Sequence, residues 1–447
     1  MKKTTRILLA SVLIGTMTLA ISACSKNAST PKNTPTPQPH THTYADAWRY
    51  DDTNHWHAAN CEHTTEVSAK GAHTMNDGVV TKEATCGEAG TKTYTCTTCG
   101  YAKPRVISAT GEHSYEGGLI AYEKEGEALY SYTVCDDCGY KDGKAEVTTA
   151  VFVNDAASAQ AALDAAEDGA VIYLAADVDY GTLYIRTRTT DRAVNVGDWA
   201  GGKHMYYREL NGITIIGAEG STVGGIVFEA GTYTASGNQH SQTDIRPTLR
   251  SFIAIEDLRL IGITFDGAVR NALSFTNQVS VDGLILENCV LEGKADMDNR
   301  LIYRSGKSTT YTDKLTGEAF ITTGLKDIAL VGCTVTDAYQ VVELRGTENI
   351  AVMACTFENI EKHVLLLAHD EDDYTGEIII IGNYVNGAGE RFLRLAGSTA
   401  DVTVTNNVVE GYTGADTDIV KMSNMSGTAI VEENTWGGDY TVTVSAE

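Results

Sequence analysis

Two phrases, Cys96-Thr-Thr-Cys99-Gly-Tyr and Cys135-Asp-Asp-Cys138-Gly-Tyr, hold cysteines in the CxxC spacing that serves metal ligation. Cys86 and His113 flank the first pair, so Cys86, Cys96, Cys99 and His113 supply three thiolates and an imidazole that could close a tetrahedral zinc site. Cys135 and Cys138 have Glu125 where the first pair has Cys86, and they could instead complete a four-cysteine site with Cys96 and Cys99. Upstream, Cys61, His63 and His73 could bind with His55 or His57. Disulfides are the competing chemistry, Cys96 with Cys135 for instance, if the compartment is oxidising. Each of these roles is structural, since none implies an open coordination position beside a general base.

These residues sit in a stretch, 44–149, rich in Thr, Tyr, Gly, Cys and His and poor in aliphatic side chains, which cannot build a core of its own. It is internally repetitive: CGEAGTKTYTCTTCGY at 86–101 aligns without gaps with EGEALYSYTVCDDCGY at 125–140, and WRYDDTNHWHAANCEH at 48–63 is a divergent relative. The stretch resembles small Cys/His repeats found beside varied domains in surface proteins of anaerobic Gram-positive bacteria, and the resemblance implies zinc-ribbon-like modules with structural metal.

The N-terminus carries an address. Lys2, Lys3 and Arg6 precede an apolar run from Ile7 to Ile21, and Ile21-Ser22-Ala23-Cys24 resembles a bacterial lipoprotein box. The resemblance implies a signal peptide over 1–23, lipidation of Cys24, and a mature protein tethered to the cell membrane, extracytoplasmic and facing outward. Residues 24–43 then read as a Pro- and Thr-rich leash. A formal net charge of −25 argues against nucleic acid as a partner.

A nine-residue phrase recurs through the C-terminal half: DLRLIGITF at 257–265, GLILENCVL at 283–291, DIALVGCTV at 327–335, NIAVMACTF at 349–357, EIIIIGNYV at 377–385, DVTVTNNVV at 401–409 and TAIVEENTW at 428–436. Its second, fourth and often ninth positions are apolar, the alternation expected of a strand with one buried face. The seventh holds Ile263, Cys289, Cys333, Cys355, Asn383, Asn407 and Asn434, so small residues stack, the Asn side chains able to bond one another and the cysteines acting as small hydrophobes. Neighbouring coils lie about 4.8 Å apart, too far for a disulfide, so these sulfurs are expected to be free thiols. Phrase starts lie 22 to 28 residues apart except for one gap of 44, which must hold an insertion over 292–324 or an extra coil. An Ala-rich helix within 155–178 should cover the first coil, and Trp436 could mask the last.

The phrase resembles that of the right-handed parallel β-helix of the pectate lyase type, over 150–447. The fold class is therefore expected to be all-β, a right-handed parallel β-helix solenoid behind small Cys/His-rich β modules. The resemblance brings enzymes acting on acidic polysaccharides. Lyases of that kind need a base for the C5 proton of a uronate and a cation for its carboxylate.

Aligning the strand after each phrase stacks Glu343, Leu366, Arg394 and Lys421 outward, with Arg345, His369 and Arg391 at the edges. In the lyase reading Arg394 or Lys421 takes the proton, His369 assists, and Asp370, Asp372 and Asp373 hold calcium. Leu366 interrupts that row, and no paired-Asp motif of the polygalacturonase kind is present. The favoured expectation is a surface module that binds or displays on glycan or envelope components; a polysaccharide lyase or hydrolase is the alternative. Replacing Cys24 by Ala should release the protein from membranes into the aqueous phase on detergent partitioning. A variant that still partitions wholly with detergent removes the anchor.

Overall fold

A computed structural model describes residues 41–63, 65–116, 118–188, 190–194, 205–229, 233–235, 245–247, 252–294, 296–304, 306, 308–368, 374–415 and 417–446. Cys24, His369, Asp370, Asp372 and Asp373 lie outside the described residues.

The phrase builds one corner of each coil of a parallel β-helix. Its fourth-position side chains Leu260, Leu286, Leu330, Val352, Ile380 and Val404 pair in register from coil to coil and are fully buried. The ninth-position Phe265, Leu291, Val335, Phe357, Val385 and Val409 stack likewise. Burying each such side chain contributes about 1.5–3 kcal/mol, which is why the alternation dictates the architecture. Three sheets result: a 12-stranded first sheet from Val151–Val153 to Ala429–Glu432, a 9-stranded second from Thr182–Arg186 to Thr441–Ala446, and an 8-stranded third from Thr222–Val223 to Thr435–Trp436.

The sixth position of the phrase, which the sequence reading passed over, makes the bend. Gly262, Asn288, Gly332, Ala354, Gly382, Asn406 and Glu433 all have φ between 51° and 68°. That left-handed conformation suits Gly and Asn. The first five of these turns are tied to the next coil, as Gly262 N–H donates to Glu287 O at 2.8 Å and Ala354 N–H to Ile381 O at 3.0 Å.

The seventh position carries two versions of one hydrogen bond. Asn383 and Asn407 Nδ2 each donate to a carbonyl of the preceding coil, Val352 and Ile380, at 2.9 Å. The Cys289, Cys333 and Cys355 thiols reach the equivalent carbonyls of Leu260, Leu286 and Leu330 at 3.4–3.6 Å. Only Asn also accepts: Cys355 N–H donates to Asn383 Oδ1 at 2.9 Å, and Asn383 N–H to Asn407 Oδ1 at 3.0 Å. The three cysteines are free thiols.

The helix Ala156–Ala165 packs Ala159 and Leu163 into the first coil's core. Asp155 caps it, accepting from Ser158 N–H at 2.7 Å. Its far end is closed by the buried Arg208, whose guanidinium donates to Leu163 O, Ala166 O and Arg186 O. The 44-residue gap is an ordinary coil with an addition: Arg300–Arg304 is a regular rung of the second sheet, and Thr309–Thr312 then pairs antiparallel with Ala319–Val331. There Tyr207, Phe252, Ile321 and Val194 form a separate apolar cluster with Tyr311 and Phe320. At the last coil Trp436 and Tyr440 pack half-buried on the core, while Val444 stays exposed.

Each Cys/His module is a three-stranded sheet: Tyr44–Tyr50, Asn54–Ala59 and Val67–Ala72; Val79–Lys82, Gly90–Thr95 and Ala102–Ile107; Ile120–Glu125, Ala128–Val134 and Lys141–Glu146. The described residues divide into two compact units, one with Tyr122–Ser131 and those from Ala145 onward, the other with those from 41 to 121 and Tyr132–Lys144. Within the first, Leu129 and Tyr122 pack on Val171 and Ile216 of the first sheet.

Cys355→Asn should melt within a few degrees of the parent, because the new amide can donate to Leu330 O and accept from Cys333 N–H as its neighbours do. Cys355→Lys buries an unpaired charge and should cost roughly 3–5 kcal/mol. A Lys variant that melts like the parent would overturn the register.

Candidate metal centres and polar row

Among the described residues the modules gather potential ligand atoms into three groups: His55, His73, Cys96 and Cys99; Cys86, His113, Cys135 and Cys138; and His42, Cys61 and His63, the donors in each lying within 4.8 Å of one another. This corrects the expected grouping. Cys86 and His113 do not join Cys96 and Cys99, and the two CxxC pairs do not share a four-cysteine site. Neither His55 nor His73 joins Cys61 and His63, whose partner is His42, and His57 instead stacks on Trp48 with ring centroids 3.8 Å apart.

The assignment follows from topology. A module supplies the histidine just before its first strand and the pair just after its second, and the fourth donor comes from the module before it, His55 for one site and Cys86 for the next. Glu125 occupies the donor position of a module with no successor of its kind, so it is not a degenerate ligand.

The spacings are too long for disulfides and leave room for a tetrahedral cation. Zinc bonded tetrahedrally to thiolate and imidazole implies sulfur–sulfur edges of about 3.8 Å and sulfur–nitrogen edges of about 3.5 Å. Cys86 and Cys135 sulfurs lie 3.6 Å apart, Cys99 Sγ is 3.4 Å from His73 Nδ1, Cys138 Sγ 3.3 Å from His113 Nδ1, and Cys96 Sγ 3.9 Å from His55 Nδ1. A disulfide would need about 2.05 Å. These cysteines are free, and Cys96 and Cys135 stand in different groups.

The two CxxC turns are built alike. Cys96 N–H donates to Tyr101 O and Gly100 N–H to Cys96 O, as Cys135 N–H does to Tyr140 O and Gly139 N–H to Cys135 O. Gly100 and Gly139 adopt φ of 74° and 71°, which explains the glycine after each pair. The tyrosine after it stacks on the ligating imidazole, Tyr101 on His73 and Tyr140 on His113, each at 4.4 Å. His73 Nε2 donates to Asp51 O at 2.8 Å, leaving Nδ1 for a cation.

Burial opposes ionisation of Cys96, but the N–H groups of Cys99 and Thr98 and the His73 ring outweigh it and hold the thiol down to about 5. Cys135 is held to about 6 against burial, by the N–H groups of Asp137 and Cys138 and by His113. Hydrogen bonding to Cys138, then burial, push Cys86 up to about 12. Thiolate and thiol thus share a group, and a divalent cation would take the place of the retained proton. No family model and no curated protein matches this chain.

On the second sheet, Tyr303, Glu343, Leu366, Arg394 and Lys421 follow one another in register, ending on Thr443. The charges are engaged: Glu343 accepts from Arg300 Nε at 2.8 Å and Gln340 Nε2 at 3.0 Å, Arg394 Nη1 donates to Ser423 Oγ at 3.1 Å, and Lys421 lies 3.7 Å from Asp418. Beside them is a dyad the sequence reading missed, because it sits where these strands begin. His363 Nε2 lies 3.0 Å from Glu390, which also pairs with Lys362 at 2.7 Å. His363 is in register with Arg391.

Burial, aided by Arg391, Arg394 and Lys362 and opposed by Glu390, pushes His363 down to about 4. In the unfolded chain it titrates near 6.5, so the unfolded form gains the proton first as pH falls. The stability it contributes is complete above pH 6.5 and is lost towards pH 4, about 3 kcal/mol in all. Chemical denaturation from pH 7 to 4 should show the parent losing about that much more than His363→Gln. Equal losses would place the titration elsewhere.

Proposed function

We propose that this is a lipid-anchored, extracytoplasmic surface protein whose N-terminal modules are held together by structural zinc and whose β-helix binds glycan along the outer face of the second sheet. One observation carries the binding reading over the catalytic one: the outer row sets Leu366 between Glu343 and Arg394 and engages its charges with neighbours. A lyase needs a base and a carboxylate-binding cation converging on one sugar. A row of tyrosine, charged and apolar side chains suits an extended chain of sugars, with Tyr303 and Tyr339 flanking the Arg300 guanidinium at 5.2 and 5.0 Å. The cations Arg391, Arg394 and Lys421 give this patch a local sign opposite to the net charge of −25, so an acidic polysaccharide is the favoured ligand.

For the modules, the ligand spacings support zinc, which would contribute folding free energy where apolar burial is scarce. The test is retention on immobilised polygalacturonate, with calcium present and absorbance of unsaturated uronate followed in parallel. The expected outcome is salt-sensitive retention without product, weakened several-fold by Arg394→Ala. Calcium-dependent product formation abolished by Arg394→Ala would make the protein a lyase.

A further inference from the structure

Among the described residues, the sulfur donors of the three groups number one, two and three along the chain: Cys61 with His42 and His63, then Cys96 and Cys99 with His55 and His73, then Cys86, Cys135 and Cys138 with His113. We infer that His42, Cys61 and His63 form a third metal centre, and that it is the exchangeable one, giving up its divalent cation to the surroundings while the other two keep theirs. This rests on the proposal that the modules bind metal at all.

The geometry of the first group is that of the other two. His42 Nδ1 lies 3.3 Å from Cys61 Sγ, which is 3.6 Å from His63 Nδ1. The two distances bracket the sulfur–nitrogen edge of about 3.5 Å expected around zinc. The topology agrees: His42 stands just before a first strand, as His73 and His113 do, and Cys61 and His63 stand just after a second strand, as the CxxC pairs do. These described residues therefore stand where the other modules place their histidine and their knuckle pair.

Two features set this centre apart in strength. Thiolate is the softer and more strongly donating ligand, so a site with one sulfur holds zinc or cadmium less firmly than sites with two or three. The knuckle is also different: Cys61-Glu62-His63 replaces CxxCGY, and Thr65 follows where a tyrosine stacks on the histidine in the other two. A changed neighbour beside a ligand, here the His42 ring against His63 at 5.2 Å and not against a tyrosine after the knuckle, typically shifts metal affinity by about 10–100-fold.

The experiment uses the full chain loaded with zinc, with metal counted by elemental analysis and its release to excess chelator followed in time. The parent should carry three equivalents, and one should leave at least about tenfold faster than the rest. Cys61→Ala and, independently, His42→Ala should each carry two and lack the fast phase. Cys138→Ala should lose one equivalent and retain the fast phase. Two equivalents in the parent, or a fast phase that survives both Cys61→Ala and His42→Ala, overturns the inference and leaves the four-donor centres intact. No bound metal in the parent overturns both this inference and the zinc proposal.

Discussion

Every side chain of the solenoid answers to the backbone ladder between coils. Parallel strands hydrogen-bond at about 4.8 Å, so each position rests on the same position of the next coil and a row must be acceptable at every rung. The seventh position shows how. Asn both accepts the N–H of the row residue one coil before and donates to a carbonyl of that coil, Cys donates to the same carbonyl, and Ile263 does neither. The row is thus apolar at one end and fully hydrogen-bonded at the other, with sulfur as the intermediate that fits against both. Cys333 and Cys355 share a column with Asn383 because the acceptor carbonyl sits in the same place.

That constraint explains what could be read in advance. The second, fourth, seventh and ninth positions were legible because stacking repeats them, and they fix the three sheets. The sixth position was equally regular, but its regularity is of backbone conformation and not of residue type. Gly, Asn, Ala354 and Glu433 all adopt left-handed φ there, and the last two hide the pattern from composition. The closure of the helix by Arg208 was invisible for the opposite reason, since it occurs once and joins residues 42 and 45 apart in sequence.

In the modules the ligand types were legible and their pairing was not. Internal alignment matches a module with its neighbour, and so invites each to close its own site. The donor groups cross that boundary, with His55 of the first module and Cys86 of the second standing at the knuckle of the module that follows. A small sheet with little apolar surface gains little by folding alone. Sharing a ligand makes one module's order depend on the next, which a private site would not do. Cysteine therefore has two unrelated roles in one chain: buried thiols that donate to carbonyls in the solenoid, and sulfurs ionised by nearby N–H groups in the knuckles.

The charged pairs on the solenoid are a question of magnitude. Lys362 with Glu390, Arg259 with Glu287, Arg300 with Glu343 and Lys326 with Asp282 each link neighbouring coils. The exposed pairs, Lys362 with Glu390 and Lys326 with Asp282, contribute about 0–1 kcal/mol each, and in the buried pair of Arg300 with Glu343 desolvation offsets the attraction, so the apolar rows beneath hold the coils together. Apolar rows, however, are nearly interchangeable: Leu on Leu is as good in one order of coils as in another. A cation placed over a carboxylate distinguishes its proper neighbour from the coil beyond, where the same row presents a different charge or none. Glu343 meets Leu366 on one side and Tyr303 on the other, and its partner Arg300 comes from the adjoining row. The weak interactions thus select the order that the strong ones stabilise.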